Sequence, residues 1–229
     1  MTVSANPAER YIQVSGGDVD LDADLYAPAS ATALVAFVHG SGSNRYSPRN
    51  RYVAGVLQQA GLATMLFSLL TPEEEANDLI TGKLRFDIGL LGRRMVGVTD
   101  WLRSEGSTRK LRIGYFGSST GAAAALIAAA ERPDDVGAVV SRGGRPDLAG
   151  PALERVRAPT LLIVGGNDTT VIGLNRRALA SLKAQTELTV VPGATHLFEE
   201  AGALERVAEM ARNWFVKHLN KPAGVPDST

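Results

Sequence analysis

The chain contains no cysteine in its 229 residues. That excludes disulfides, thiolate metal sites and a cysteine nucleophile, and it fits a reducing compartment. Histidine is nearly as scarce. The three present, His39, His196 and His218, are too dispersed to suggest a metal site, so neither metal nor cofactor is expected. Net charge is also missing: 24 basic residues balance 24 acidic ones. No general attraction to nucleic acid or to an anionic membrane follows. Long apolar runs are absent too. The longest, Ala122 to Ala130, is mostly alanine and falls far short of a membrane span. Met1 to Arg10 lacks the basic start and apolar stretch of a secretory signal, and a cytoplasmic location is expected. Thr81-Gly82-Lys83 has Asn77 where a phosphate loop needs its first glycine, and no dinucleotide fingerprint follows the first main strand.

What is present is an ordinary globular composition, 45% hydrophobic and 21% charged. The length suits one domain, expected over residues 1–220, with a frayed tail at 221–229 carrying Pro222, Gly224 and Pro226. Strand-like and helix-like segments alternate. A polar hairpin is expected over Tyr11–Val14 and Leu21–Tyr26. Strands are expected at Ala33–Val38, Ala63–Leu69, Leu111–Phe116, Val136–Ser141, Thr160–Val164 and Leu188–Val191. Helices are expected at Arg51–Ala60, Arg85–Ser104, Ala122–Ala130 and Leu204–His218. Thr71–Phe86 reads as the longest irregular stretch, leaving little room for a cap. This alternation argues an α/β fold with a mostly parallel central sheet flanked by helices. Such sheets place their sites at the C-terminal ends of the strands. Four segments fall there: His39–Asn44, Gly117–Gly121, Gly165–Asp168 and Gly193–His196.

Gly117-Ser118-Ser119-Thr120-Gly121 joins a strand to a helix, the context in which Gly-x-Ser-x-Gly forms a nucleophile elbow with Ser119 as the attacking group. A serine hydroxyl needs a base. His39 follows a strand directly and is read as shaping its loop, and His218 lies late in the last helix. His196, on the loop after the last strand, is the candidate base. Asp168, closing Gly165-Gly166-Asn167-Asp168, is the candidate acid, with a helix-capping role as its alternative and Asp147 in reserve. The order serine, aspartate, histidine is that of an α/β-hydrolase. Oxyanion donors are expected from the Thr120 N–H and from the loop of Ser41 and Gly42. Arg142 and Arg145, after strand Val136–Ser141, are candidates to hold a substrate carboxylate, with a solvated face or structural pairing with acids as the favoured alternative, while Arg45, Arg49 and Arg51 follow the oxyanion loop.

From about Val35 to Leu219 the chain resembles the α/β-hydrolase superfamily, and within it small capless members of the dienelactone hydrolase family. The resemblance rests on His39-Gly40-Ser41-Gly42-Ser43, Gly117–Gly121, Val164-Gly165-Gly166-Asn167-Asp168 and Gly193-Ala194-Thr195-His196-Leu197-Phe198. It implies an α/β-hydrolase fold without a large cap and an open site for a small-molecule ester substrate. Dienelactone hydrolases proper use cysteine as the nucleophile, and this chain has Ser119. The departure points away from dienelactone and toward general carboxylic esters. Acyl transfer and thioester cleavage would use the same three residues, and a binding protein on a hydrolase scaffold is a further alternative. Oligomeric state is not legible.

Overall fold

The computed structural model describes residues 9–219; the expected tail at 221–229 lies outside them. Eight strands form one sheet: β1 (Glu9–Ser15), β2 (Asp20–Tyr26), β3 (Ala33–Val38), β4 (Ala63–Phe67), β5 (Arg112–Ser118), β6 (Val136–Arg142), β7 (Thr160–Gly165) and β8 (Thr186–Val191). Their spatial order is β1-β2-β4-β3-β5-β6-β7-β8. Only β2 runs against the others, pairing antiparallel with both β1 and β4. The expected polar hairpin is therefore the sheet's first edge.

Six α-helices flank the sheet: α1 (Pro48–Gln59), α2 (Pro72–Thr81), α3 (Ile88–Ser104), α4 (Thr120–Glu131), α5 (Thr169–Ser181) and α6 (Ala203–Leu219). Period-two alternation in the strands assigns side chains to the two faces. Along β3, Leu34, Ala36 and Val38 join the core beneath α3 and α4, whereas Ala33, Val35 and Phe37 join the core beneath α1 and α6. Helix α4 is buried on nearly every side, as a helix apolar all round must be. Its alanines allow α3 to close over it without overcrowding. No helix among the described residues is long and apolar enough to cross a membrane.

The structure corrects the reading of Thr71–Phe86 as irregular. Thr71 caps α2, Pro72 sits in its first turn, and Thr71 with Glu74 forms a reciprocal capping box at 3.2 and 2.9 Å. Glu73, Glu74 and Glu75 suit the positive end of the helix dipole, and Gly82 closes it at φ 63°. The apolar periodicity is weak, but the end signals are complete. A 3₁₀ turn at Leu84–Phe86 follows, and Asp87 caps α3, which starts three residues later than expected. Helix α5 starts after Asp168, where the capping alternative places a helix, and 3₁₀ turns over Pro146–Arg155 fill a stretch to which the sequence pattern assigns no element.

Glu74 does more than cap. It pairs with Arg94, which is 1% exposed and also donates to the Leu69 carbonyl at 2.8 Å. The Arg94 hydrogen bond holds the Glu74 carboxyl below the usual range. A depressed folded-state value means that this stabilisation is complete above the unfolded value of about 4.3 and is lost as pH falls through the folded one. Glu74→Gln should cost about 2 kcal/mol at pH 7 and flatten the acid limb of stability. Urea unfolding at neutral and acid pH reads both effects; identical pH slopes in the two proteins would refute the assignment.

Candidate active site

Ser119 stands at the junction of β5 and α4 with φ 48° and ψ −123°. Positive φ is rare and costly for a residue with a side chain, and such strain concentrates at functional sites. The surrounding hydrogen bonds hold it there. The Ser119 N–H donates to the Arg142 carbonyl at 3.3 Å, and its own carbonyl accepts from Ala122 at 3.1 Å and Arg145 at 2.9 Å. The turn also depends on Gly121. A Cβ there would lie 2.2 Å from the Val38 carbonyl oxygen and 2.3 Å from that of His39. Both obstacles are backbone. Gly121→Ala should lower stability by about 3 kcal/mol, the upper end of overpacking costs, read as a fall in the urea midpoint; an unchanged midpoint would mean that the strand and helix can part without loss.

The acid and histidine loops are fastened together. Asn167 N–H donates to the Ala194 carbonyl and Asn167 Nδ2 to the Gly193 carbonyl, both at 2.9 Å. Across this junction His196 Nδ1 meets Asp168 Oδ2 at 2.7 Å. That contact commits Nδ1 and leaves Nε2 for proton transfer. Asp168 Oδ1 meanwhile accepts from the Val171 N–H at 3.4 Å, capping α5. The capping and histidine-orienting roles, posed as alternatives from sequence, are filled at once by different oxygens. Glu200, overlooked in the sequence, braces the histidine loop by accepting from Thr195 N–H at 3.0 Å and Thr195 Oγ1 at 2.6 Å.

Ser119, His196 and Arg142 line one cavity of about 560 Å³ with residues 40–44, the first turn of α1, Ser118 and Leu197. Ser41 and Gly42 are in its wall. The Ser41 N–H is engaged by Thr120 Oγ1 at 2.9 Å, which ties the loop to the start of α4. The Thr120 N–H belongs to a first helical turn and has no intrahelical acceptor. His39 shapes this loop as expected. It is buried and takes the Leu69 N–H on Nε2, while Nδ1 faces the Gly40 carbonyl, each at 2.9 Å. Burial holds it below the usual histidine range, consistent with a neutral ring. A smaller space of about 60 Å³ lies across the loop, walled by Leu69, Leu70, Leu79 and Leu91 rather than by Ser119 or His196.

The candidate arginines separate. Arg145 forms a two-pronged pair with Asp147 at 2.9 and 2.8 Å and does not line the cavity, so neither Arg145 nor the reserve acid Asp147 is available there. Arg45 and Arg51 are drawn to Asp22 and Asp24. Arg142 and Arg49 remain in the cavity wall.

Among the described residues, a mostly parallel eight-stranded sheet with one reversed strand, helices on both faces and no cap domain make up the α/β-hydrolase fold. The chain belongs to the dienelactone hydrolase family, whose pattern it matches over residues 73–220. It is 60% identical to a dienelactone hydrolase from Anabaena variabilis whose crystal structure superposes with a TM-score of 0.91, covering 93% of this chain and 98% of that one. It is also 56% identical over 214 residues to a Mycobacterium tuberculosis protein named putative phosphoribosyl transferase, covering 93% of this chain and 47% of that protein. The chain thus spans about half the length of the curated relatives it matches first. Est1E from Butyrivibrio proteoclasticus, at 16% identity, shares the fold with a TM-score of 0.75 over 92% of this chain and 99% of its own.

Proposed function

We propose that this hydrolase cleaves carboxylic esters of small substrates through an acyl-enzyme on Ser119. One observation carries the reading: a strained Ser119 shares a cavity with His196, whose other ring nitrogen is held by Asp168 at 2.7 Å. In this reaction Ser119 Oγ attacks the ester carbonyl carbon as His196 Nε2 takes its proton. Asp168 fixes the tautomer and stabilises the imidazolium that forms. The Thr120 N–H, at the positive end of α4, receives the developing oxyanion. Ser41 or Gly42 supplies the second donor; Ser41 does so by sharing or releasing its bond to Thr120 Oγ1. His196 then protonates the leaving alcohol, activates water against the acyl-enzyme and returns the proton to Ser119.

The transferase name of the longer relatives belongs to proteins about twice this length, whereas the hydrolase family match lies in this chain, at residues 73–220. Acyl transfer to an alcohol or amine would proceed through the same intermediate, and a competing-nucleophile assay would reveal it. The direct test is reaction with a p-nitrophenyl phosphonate followed by peptide mass analysis. One adduct per chain, on the peptide containing Ser119, with parallel loss of p-nitrophenyl acetate hydrolysis is the expected result. A well-folded protein that neither labels nor hydrolyses esters would remove the proposal.

A further inference from the structure

Arg142 is 7% exposed, yet among the described residues no carboxylate pairs with it. The other deeply buried arginines are treated differently: Arg94 has Glu74, and Arg45 lies near Asp22 and Asp24 between the rings of Tyr11 and Tyr46. Arg142 has only the Phe198 ring, 5.9 Å from its guanidinium carbon, and its Nε is buried without a hydrogen-bond partner. Burial, reinforced by Arg49, lowers its pKa to about 10, so it remains a cation at neutral pH. An uncompensated buried charge is costly to keep unless something answers it.

The surroundings share its sign. Among the described residues, the wall contains Arg49 and Arg142 but no aspartate or glutamate. Arg49 reaches exposed Glu199 at 3.0 Å, but its Nε is also buried and unpartnered. Arg49 lies in the first turn of α1, a 12-residue helix with no acidic residue there. A cation at that end opposes the helix dipole. Its presence makes electrostatic sense if an anion occupies the cavity between the helix end and the two guanidinium groups.

We infer that this cavity binds a phosphate monoester group on the substrate, held by Arg142 and Arg49 at the N-terminus of α1, so that the hydrolysed ester belongs to a phosphorylated compound. The inference rests on the esterase reading for the reaction but not for the binding. Two forked guanidinium groups present more N–H donors than the two oxygens of a carboxylate can use, and they suit the three terminal oxygens of a phosphate. The phosphate is an anchor and does not react. Water adds across the carboxylic ester, whose acyl C–O bond breaks, and the phosphate stays on its own fragment.

The test compares acetate esters of para-hydroxyphenyl phosphate, para-hydroxyphenylacetate and para-methoxyphenol, which carry a dianion, a monoanion and no charge. Wild type should favour the phosphate ester over the neutral one by about 100-fold in kcat/KM, mainly through KM. Arg142→Gln should cut that ratio at least tenfold, and Arg49→Gln, at a half-exposed position, should cut it less. Calorimetry with phenyl phosphate separates binding from turnover: Ser119→Ala should bind it, and Ser119→Ala/Arg142→Gln should not. Phosphate binding that depends on Arg142, without ester turnover, would uphold this subsite while removing the esterase reading. Equal kcat/KM for phosphate and neutral esters, or a carboxylate ester matching the phosphate ester, would overturn the proposal. If Arg142→Gln fails to fold, an unchanged preference in Arg49→Gln together with no phenyl phosphate binding by Ser119→Ala would overturn it equally.

Discussion

Ser119→Ala should lower kcat for p-nitrophenyl acetate by about 10⁵-fold or more, as loss of an attacking serine does when it acts as a unit with its base. The fold should survive. Ser119 makes no side-chain capping bond to α4, and the bonds that position the turn come from its backbone N–H and carbonyl. Alanine retains both and removes only the hydroxyl. Positive φ disfavours alanine as it does serine, so the strain remains. Urea midpoints should therefore agree while rates differ by orders of magnitude. A second variant sharpens the distinction. Ser119→Gly relieves the backbone and should be at least as stable as wild type, yet equally inactive. Ester turnover within tenfold of wild type in either variant would mean that another group attacks, and the proposed mechanism would fail.

The central strands were legible because successive residues of a short, unbroken apolar run must divide between two covered faces, and β3 does so residue by residue. The elbow was legible because glycines flank a serine where strand pattern turns into alanine-rich helix. Helix α2 was missed for the complementary reason: it buries only Asp78 and leaves Leu79 and Ile80 in solvent, so it has little apolar periodicity to read. Its start, Thr71-Pro72-x-Glu74, was nevertheless written out. The arginines mark a different boundary. Arg142 ends β6 and Arg145 follows three residues later, and sequence alone treats them alike. Their fates depend on Asp147, two residues after Arg145, and on the Phe198 ring, which reaches Arg142 from a distant loop at φ 56°. Tertiary packing decides the latter. Arg49 likewise counted as one of several basic residues until the position of α1 turned its first turn toward Ser119.

Asp168→Asn should lower kcat by about 10⁴-fold while preserving the protein's stability, the cost known for the same substitution in a serine–histidine–aspartate triad. The two oxygens of Asp168 make this separable. Oδ1 caps α5 and Oδ2 holds His196. Asparagine is as good a helix cap as aspartate, so the first role persists. The second does not. An amide NH₂ facing Nδ1 would favour the tautomer whose proton sits on Nε2, and that nitrogen could then no longer accept from Ser119. A neutral amide also removes the charge that stabilises the imidazolium. Asp168→Ala removes both roles, and its added loss of stability, about 1 kcal/mol for the cap, should appear only in that variant. The expected pattern is thus two variants equally impaired in catalysis but different in unfolding midpoint. If Asp168→Asn kept wild-type kcat, the aspartate would be a helix cap alone, and the contact with His196 would have no catalytic consequence.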